Sequence, residues 1–336
     1  TFGQLFLARM GVGVGEATLS PAAYSMIADL FPPAKLGRAM GVYSSGVFIG
    51  AGIAFLIGGF VISLVSGGAS FSIPFFGTMK SWQFVFVIIG VPGIAFALLM
   101  LTVPEPRRRG AKPVASSIGT KGIMTFIREN PRATLGHILG FSLLGIVFNG
   151  FVAWAPTQMI RDYGVTATQA GTAIGIGLLL FGGGGIIAGG MVSDHLSRKG
   201  YGDATMRAGI IGGIGLIPAG ILVPLLPGYL SSAIGYAAFF FFASFPFGAA
   251  AAALQLMTPS RLRAQMSALY LLILNLIGIG GGPLMIAAIS DYLLAGPTSI
   301  GTAMAITAAV TTPVGVAILV AALPHYRASQ LKAVQI

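Results

Sequence analysis

Read from its first residue, the chain alternates long apolar runs with short polar breaks. A helix crossing a bilayer takes about 20 mostly apolar residues. Nine runs meet that length, at 1–30, 36–66, 82–103, 133–160, 167–192, 206–227, 230–257, 264–292 and 300–323. The breaks between them carry proline, glycine or charge: Pro32-Pro33, Pro104-Glu105-Pro106, Pro131, Ser197 to Gly202, Pro259 to Arg263, and Gly296-Pro297. Within each run the apolar residues are continuous and do not alternate, as the strands of a transmembrane barrel would require. The runs are too numerous for a signal peptide. The pattern predicts an all-α polytopic membrane protein.

Composition strengthens this reading. Charged residues make up 8% of the 336, against about 25% in soluble proteins, and apolar residues make up 55%. So few charges do not cover a soluble surface, and so much apolar content excludes disorder. The 50 glycines suit membrane helices, where small residues let backbones approach. Gly11 and Gly15, Gly46 and Gly50, Gly136 and Gly140, Gly185 and Gly189, and Gly278 and Gly282 all have close-packing spacing. The run Gly182 to Gly185 lies mid-span with no Gly-Lys-Ser/Thr after it, so it does not read as a phosphate loop. The chain has no cysteine, which excludes a disulfide framework and thiol catalysis.

The net charge of +11 raises the question of a nucleic-acid partner, and the placement of the charges answers it. Consecutive breaks lie on alternating sides of the bilayer. One side holds Lys35, Arg38, Arg107, Arg108, Arg109, Lys112, Lys121, Arg128, Arg132, Arg198, Lys199, Arg207, Arg261, Arg263, Arg327 and Lys332; the other holds only Lys80 and Arg161. This asymmetry marks the first side, and with it the C-terminus, as cytoplasmic. The excess charge is topology, and no nucleic-acid partner is expected. The expected setting is a plasma membrane, of the bacterial inner kind. Nine spans then put residue 1 outside, although the chain starts at Thr1 directly in an apolar helix. A fragment lacking upstream helices is expected.

The longest polar stretch, 104–132, divides three runs from six and reads as a cytoplasmic linker between residues 1–103 and 133–336. Within it, Ile123, Met124, Phe126 and Ile127 among Lys121 and Arg128 suit a short interfacial helix; an unstructured linker is the alternative. An internal repeat appears at an offset of 226 residues. Leu30, Pro33, Leu36, Met40 and Gly52 match Leu256, Pro259, Leu262, Met266 and Gly278, and Lys35 matches Arg261. Each copy is a helix, a short basic turn and a Gly-rich helix. Parallel six-helix repeats build one large class of transporters. A first half matching the second would need three more helices.

At these residues the chain resembles the major facilitator superfamily. Gly190-Met-Val-Ser-Asp194-His-Leu-Ser-Arg198-Lys199 is similar to the family's G-x-L-x-D-R-x-G-R-K/R loop, with His195 for an Arg and Ser197 for a Gly. Arg9 followed by Gly11, Gly13 and Gly15 resembles the R-x-x-x-G-x-G pattern of helix four. Gly46-x-x-x-Gly50 with Gly58-Gly59 is loosely like the antiporter motif of helix five, without its Gly-Pro pair; Gly282-Pro283 takes the equivalent place in the other half. Arg9 through Glu16-Ala, then Pro21 and Ala28-Asp29-Leu30-Phe31-Pro32, resembles the spinster branch, whose members move sphingoid and lysophospholipid molecules. The resemblance implies a major facilitator fold truncated to nine of twelve helices, four to twelve. It implies a secondary transporter, monomeric, working by alternating access, with a small amphipathic or anionic substrate, protons and the lipid bilayer as its partners and no cofactor. The family's protonatable Asp of helix one has no counterpart here.

Arg9 and Glu16 form the only opposite-charge pair inside a run. A charge in hydrocarbon costs about 2.5–3.5 kcal/mol even on lenient insertion scales, so its presence asks for a reason. Nearly two helical turns put both side chains on one face, roughly 10 Å apart. The functional reading has Glu16 titrating and Arg9 holding an anionic substrate or biasing that titration. The alternative is a buried pair that fixes helix packing. Asp194, Arg198, Arg261 and Arg263 are read as gating residues on cytoplasmic loops. Asp194 would bond in one state to Arg261, Arg263 or the helix start near Lys35. For Arg198, topological charge is the competing reading. Tyr24, Tyr43, Ser44, Asn149 and Asn275 are candidates to line a central cavity, against plain interhelical hydrogen bonding. His137, His195 and His325 lack metal-ligand spacing, and no nucleophile–base arrangement appears, so no metal site and no enzyme are expected. A drug transporter, a small organic acid transporter or a receptor on the same scaffold are the alternatives.

Overall fold

A computed structural model describes residues 2–65, 71–73, 77–79, 90–95, 97–99, 101–102, 120–294 and 299–335. Its helices, in chain order, are α1 (Phe2–Leu30), α2 (Pro33–Val65), α3 (Thr120–Glu129), α4 (Pro131–Tyr163), α5 (Ala167–Arg198), α6 (Ala204–Leu225), α7 (Tyr229–Met257), α8 (Ser260–Leu294) and α9 (Ser299–Gln335). A two-stranded antiparallel hairpin, β1 (Phe71–Ile73) and β2 (Gly77–Met79), follows α2. Among the described residues, seven helices are long and apolar enough to cross a membrane: all but α1 and α3. α1 is a single helix over the first predicted run, but Gln4, Arg9, Glu16 and Asp29 lower its apolar content. Half of the predicted run 82–103 lies outside the described residues, as does the linker up to residue 119.

The helices overshoot the apolar runs that predict them. α5 continues from 192 to Arg198 and α9 from 323 to Gln335. An α-helix satisfies its own backbone hydrogen bonds, so nothing ends it where the bilayer ends. The sequence therefore misplaces two gating candidates: Asp194 and Arg198 stand on the last turns of α5, not on a loop. The stretch before α4 resolves as a helix: α3 buries Phe126 against the end of the bundle.

Three intervals depart from α geometry in a regular way. α5 widens into a π-helix over Gly177–Gly182, and α8 does so over Asn275–Gly281 and again over Ile289–Leu294. Such bulges concentrate at functional positions because they re-aim the side chains that follow. In the packing, α9 lies along α4, α6 along α7, and α2 along α5. Through α2 the first part of the chain reaches the second, against α5 and α7. The core there is aromatic. Phe48 of α2, Phe148 of α4 and Phe247 of α7 make a three-way contact with ring centroids 5.2–5.3 Å apart. Tilted and edge-on rings of this kind add to plain burial.

The repeated segments meet in space. Leu36 and Met40, on α2, and their counterparts Leu262 and Met266 are all buried. Leu36 and Met40 pack with Ala251 and Ala252 of α7, flanked by Ile27, Ala28 and Leu256. Two similar helix–turn–helix corners thus face one another at the end of the bundle that carries the basic residues.

Candidate functional site: the closure at the basic end

The contact between those corners is built from small residues, a carboxylate and an ion pair. Where α2 crosses α5, the backbones touch. A Cβ on Gly190 would lie 2.7 Å from the carbonyl oxygen of Gly37, and one on Gly248 of α7 would lie 2.7 Å from the Cα of Gly41. No side chain fits at either position, so the glycines set how close the helices come. The approach delivers Asp194 to the first turns of α2, where its Oδ1 accepts a hydrogen bond from the main-chain N–H of Arg38 at 3.4 Å. Arg38 is in the second turn of α2, so its N–H is shared with the helix's own ladder, and the side-chain charges of Arg198 and Arg38 also act on the carboxylate.

Arg263 closes the other side of the same contact. At the corner between α7 and α8, its Nε donates to the carbonyls of Gln255 at 3.1 Å and Thr258 at 3.3 Å. Gln255 in turn donates from Nε2 to Ser267 Oγ at 2.7 Å, and Ser267 donates to the Arg263 carbonyl at 2.8 Å. A cation at the end of a helix is favoured by the exposed carbonyls there. So anchored, the guanidinium reaches across to Asp29 at the end of α1, with Nη1 3.3 Å from Oδ1. The expected Asp194–Arg263 pairing does not form, because Arg263 is committed to Asp29. The helix start near Lys35 is the partner Asp194 takes. Arg198 flanks Asp194 one turn further along α5, and Arg261 is exposed in the first turn of α8.

The remaining candidates scatter. Tyr24 and Tyr43 meet edge-on at 5.7 Å between α1 and α2, and Ser44 is buried beside them in the chain. Asn149 turns back on its own helix, donating from Nδ2 to the Gly145 carbonyl at 2.9 Å, and Asn275 is exposed at the start of a π-helical stretch. Tyr43 lines a cavity with Arg38 and Asp194, while Asn149 and Asn275 stand apart from it, and Asn149 keeps its Oδ1 and a second N–H for other partners. Arg9 and Glu16 lie on α1, and their side chains fall outside the described residues.

Toward the opposite end of α2 the helix still touches α5, where a Cβ on Gly52 would lie 2.8 Å from the carbonyl oxygen of Gly175. An apolar cavity of about 370 Å³ opens there, lined by Ala54, Phe55 and Gly58 of α2, Pro156 and Ile160 of α4, and Gly171 of α5. Sequence reasoning passed over other residues that shape this region. Trp154 donates from Nε1 to the Pro283 carbonyl at 3.0 Å, tying α4 to α8. Gln158, fully buried, donates to Asp162 at 2.8 Å and accepts from Tyr236 at 3.1 Å. Near the basic end, His137 is also buried, with Nε2 2.9 Å from the Ala250 carbonyl, so that nitrogen carries the hydrogen. An aromatic or amide among apolar neighbours gives no periodic signal, and only the fold shows its partner.

Comparison with known proteins agrees with this architecture. The family model described as Major Facilitator Superfamily matches residues 1–283. The chain belongs to that superfamily. Its members are transporters rather than enzymes, and this is an integral multi-pass membrane protein of that class. The probable L-galactonate transporter of Escherichia coli strain K12 is 25% identical over 214 residues, which is 59% of this chain and 43% of that protein. Protein spinster homolog 1 of Rattus norvegicus is 28% identical over 167 residues, 48% of this chain and 29% of that protein. The chain thus spans less than half the length of these relatives. A bacterial homolog of the human lysosomal transporter Spinster, solved in an inward-facing and unoccupied conformation, matches with a TM-score of 0.61 at 25% identity. That match covers 100% of this chain and 79% of the other.

Proposed function

We propose that this major facilitator protein is a proton-coupled secondary transporter that moves a lipid-like or other organic anion by alternating access. In this reading it sits in a bacterial inner membrane with its C-terminus in the cytoplasm. The observation that supports it is the set of breakable contacts at the basic end of the α2 interface. Asp194 meets α2, Arg263 meets Asp29 and glycines meet backbone there, and an apolar cleft lies toward the far end. Helices packed through glycines slide with little steric cost, and a carboxylate on a helix start is a contact that breaks whole. In this reading these contacts hold the cytoplasmic side closed in one state and part in the other. Glu16 would carry the transported proton, and Arg9 would bias it or hold the anion. Spinster-like sequence favours an amphipathic anion, which suits the apolar cleft.

A small organic acid is the second reading, favoured by the similarity to a probable L-galactonate transporter. Proteoliposomes of the complete protein separate the two. Under an imposed proton gradient, uptake of a labelled lysophospholipid but not of an aldonate supports the first reading; the reverse supports the second. Glu16→Gln is expected to abolish gradient-driven flux while leaving substrate binding. Flux unchanged in this variant would remove Glu16 from the mechanism. Lack of any gradient-driven flux would point to a receptor.

A further inference from the structure

Beside the Asp194 contact lies a second cavity, of about 670 Å³, whose chemistry the closure does not consume. Its walls include Ile27 from α1, Phe31 just after that helix, Lys35, Arg38 and Val42 from α2, and Arg198 from the end of α5. Three cations therefore surround one space with Asp194 as the carboxylate on its wall. Asp194 turns Oδ1 to the main chain of Arg38, and no ion pair among the described residues involves Lys35, Arg38 or Arg198. The same cavity has an apolar side open to the surroundings, where Phe31 is 44% and Val42 is 56% exposed.

Three cations against one carboxylate, next to exposed apolar side chains at the level where membrane helices end, fit one kind of ligand. A free anion would leave the apolar wall uncovered, and a neutral lipid would leave the cations unanswered. We infer that this cavity binds an anionic phospholipid. Its phosphate is held by Lys35, Arg38 and Arg198, and its acyl chain lies along Ile27, Phe31 and Val42. Guanidinium groups match phosphate geometry through paired N–H donors, and basic pockets between membrane helices favour anionic headgroups. The cations come from both sides of the α2–α5 contact. A phosphate shared between them stabilises the arrangement in which the basic end is closed, because it binds that arrangement better than the parted one. This last consequence rests on the alternating-access reading; the binding itself does not.

Spin-labelled phosphatidylglycerol and phosphatidylcholine, compared on the purified protein in nanodiscs, test the assignment. Preferential association of phosphatidylglycerol is expected, falling about five-fold for each charge removed in Lys35→Gln, Arg38→Gln and Arg198→Gln. Arg38→Lys and Arg198→Lys should keep most of the preference, and Arg128→Gln, elsewhere on the basic end, all of it. Equal association of the two lipids, or a preference that survives the glutamine substitutions, would overturn the site. Displacement of phosphatidylglycerol by millimolar inorganic phosphate would reassign the cavity to a soluble anion and also overturn it. Should the glutamine variants fail to fold, the unaltered protein still decides: a higher Tm in phosphatidylglycerol than in phosphatidylcholine supports the site, and identical values reject it. These readouts need no flux, so they stand apart from the transport experiment.

Discussion

Asp194 Oδ1 lies 3.4 Å from the main-chain nitrogen of Arg38, 156 residues earlier in the chain, and this contact joins the end of α5 to the start of α2. It pairs a carboxylate with a helix rather than with a side chain. Asp194→Asn keeps the shape and removes the charge. A long hydrogen bond to a charged group contributes about 1 kcal/mol, or roughly five-fold in an equilibrium. The substitution should therefore raise the ratio of open to closed basic ends about five-fold, read as a longer distance between spin labels on the α1–α2 corner and the end of α5. An unchanged distance distribution would show that the contact carries no gating energy.

Arg263 and Asp29 make the companion contact, with side chains 21% and 38% exposed. Exposed pairs of this kind are worth less than about 1 kcal/mol. A double-mutant cycle of Arg263→Gln and Asp29→Asn is expected to give a coupling below that value, weakened by salt. The larger effect of Arg263→Gln alone should persist in the Asp29→Asn background, because its Nε also holds the Gln255 and Thr258 carbonyls.

Glycine at 248 is a matter of space. A Cβ there would press on the Cα of Gly41 at 2.7 Å, and backbone cannot move aside as a flexible side chain can. Gly248→Val should hold the corners apart. Crosslinking yield between cysteines placed on α1 and α8 would drop severalfold, while Gly46→Ala, where nothing lies within 4 Å, leaves the yield as it was.

Beyond the membrane spans, Asp203 sits between α5 and α6, only 1% exposed, with Arg207 Nε 2.7 Å from Oδ1 and Arg327 Nη2 2.6 Å from Oδ2. Burial alone would raise its carboxyl, but the hydrogen bonds and charges of Arg207 and Arg327 outweigh it and hold the group below its ordinary value. In the unfolded chain the group titrates near 3.9. The stabilisation is therefore complete above about pH 4 and is lost as pH falls through the lower folded value. Thermal unfolding of the protein in detergent should show this acid-side loss, and Asp203→Asn should lower Tm at neutral pH while flattening the dependence below pH 4.

The spans, the sidedness of charge and the repeat were all readable from the residues, because each is a local property. An apolar run must become a helix in lipid whatever surrounds it, since no other structure pairs its backbone groups there. Leu36, Met40, Leu262 and Met266 were picked out by the repeat alone, and all four are buried where the corners meet. The helix ends were misread, as at Asp194, because a helix does not stop where hydrophobicity does. Asn149 and Asn275 were candidates for a cavity wall, Asn149 also for its place beside Gly150 near the midplane; which way such an amide faces depends on neighbours that the sequence does not order.

Partners were decided only by the tertiary structure. Nothing local in the sequence says that Arg263 reaches Asp29, 234 residues away, rather than Asp194, or that Phe48, Phe148 and Phe247 converge. Nor does it say that Lys35, Arg38 and Arg198 share one cavity. Hydrophobic runs specify that helices form and on which side their charges lie, because the bilayer acts on each segment separately. Which faces touch follows from the close packing of all segments at once, where glycine contacts a few ångströms long select one arrangement.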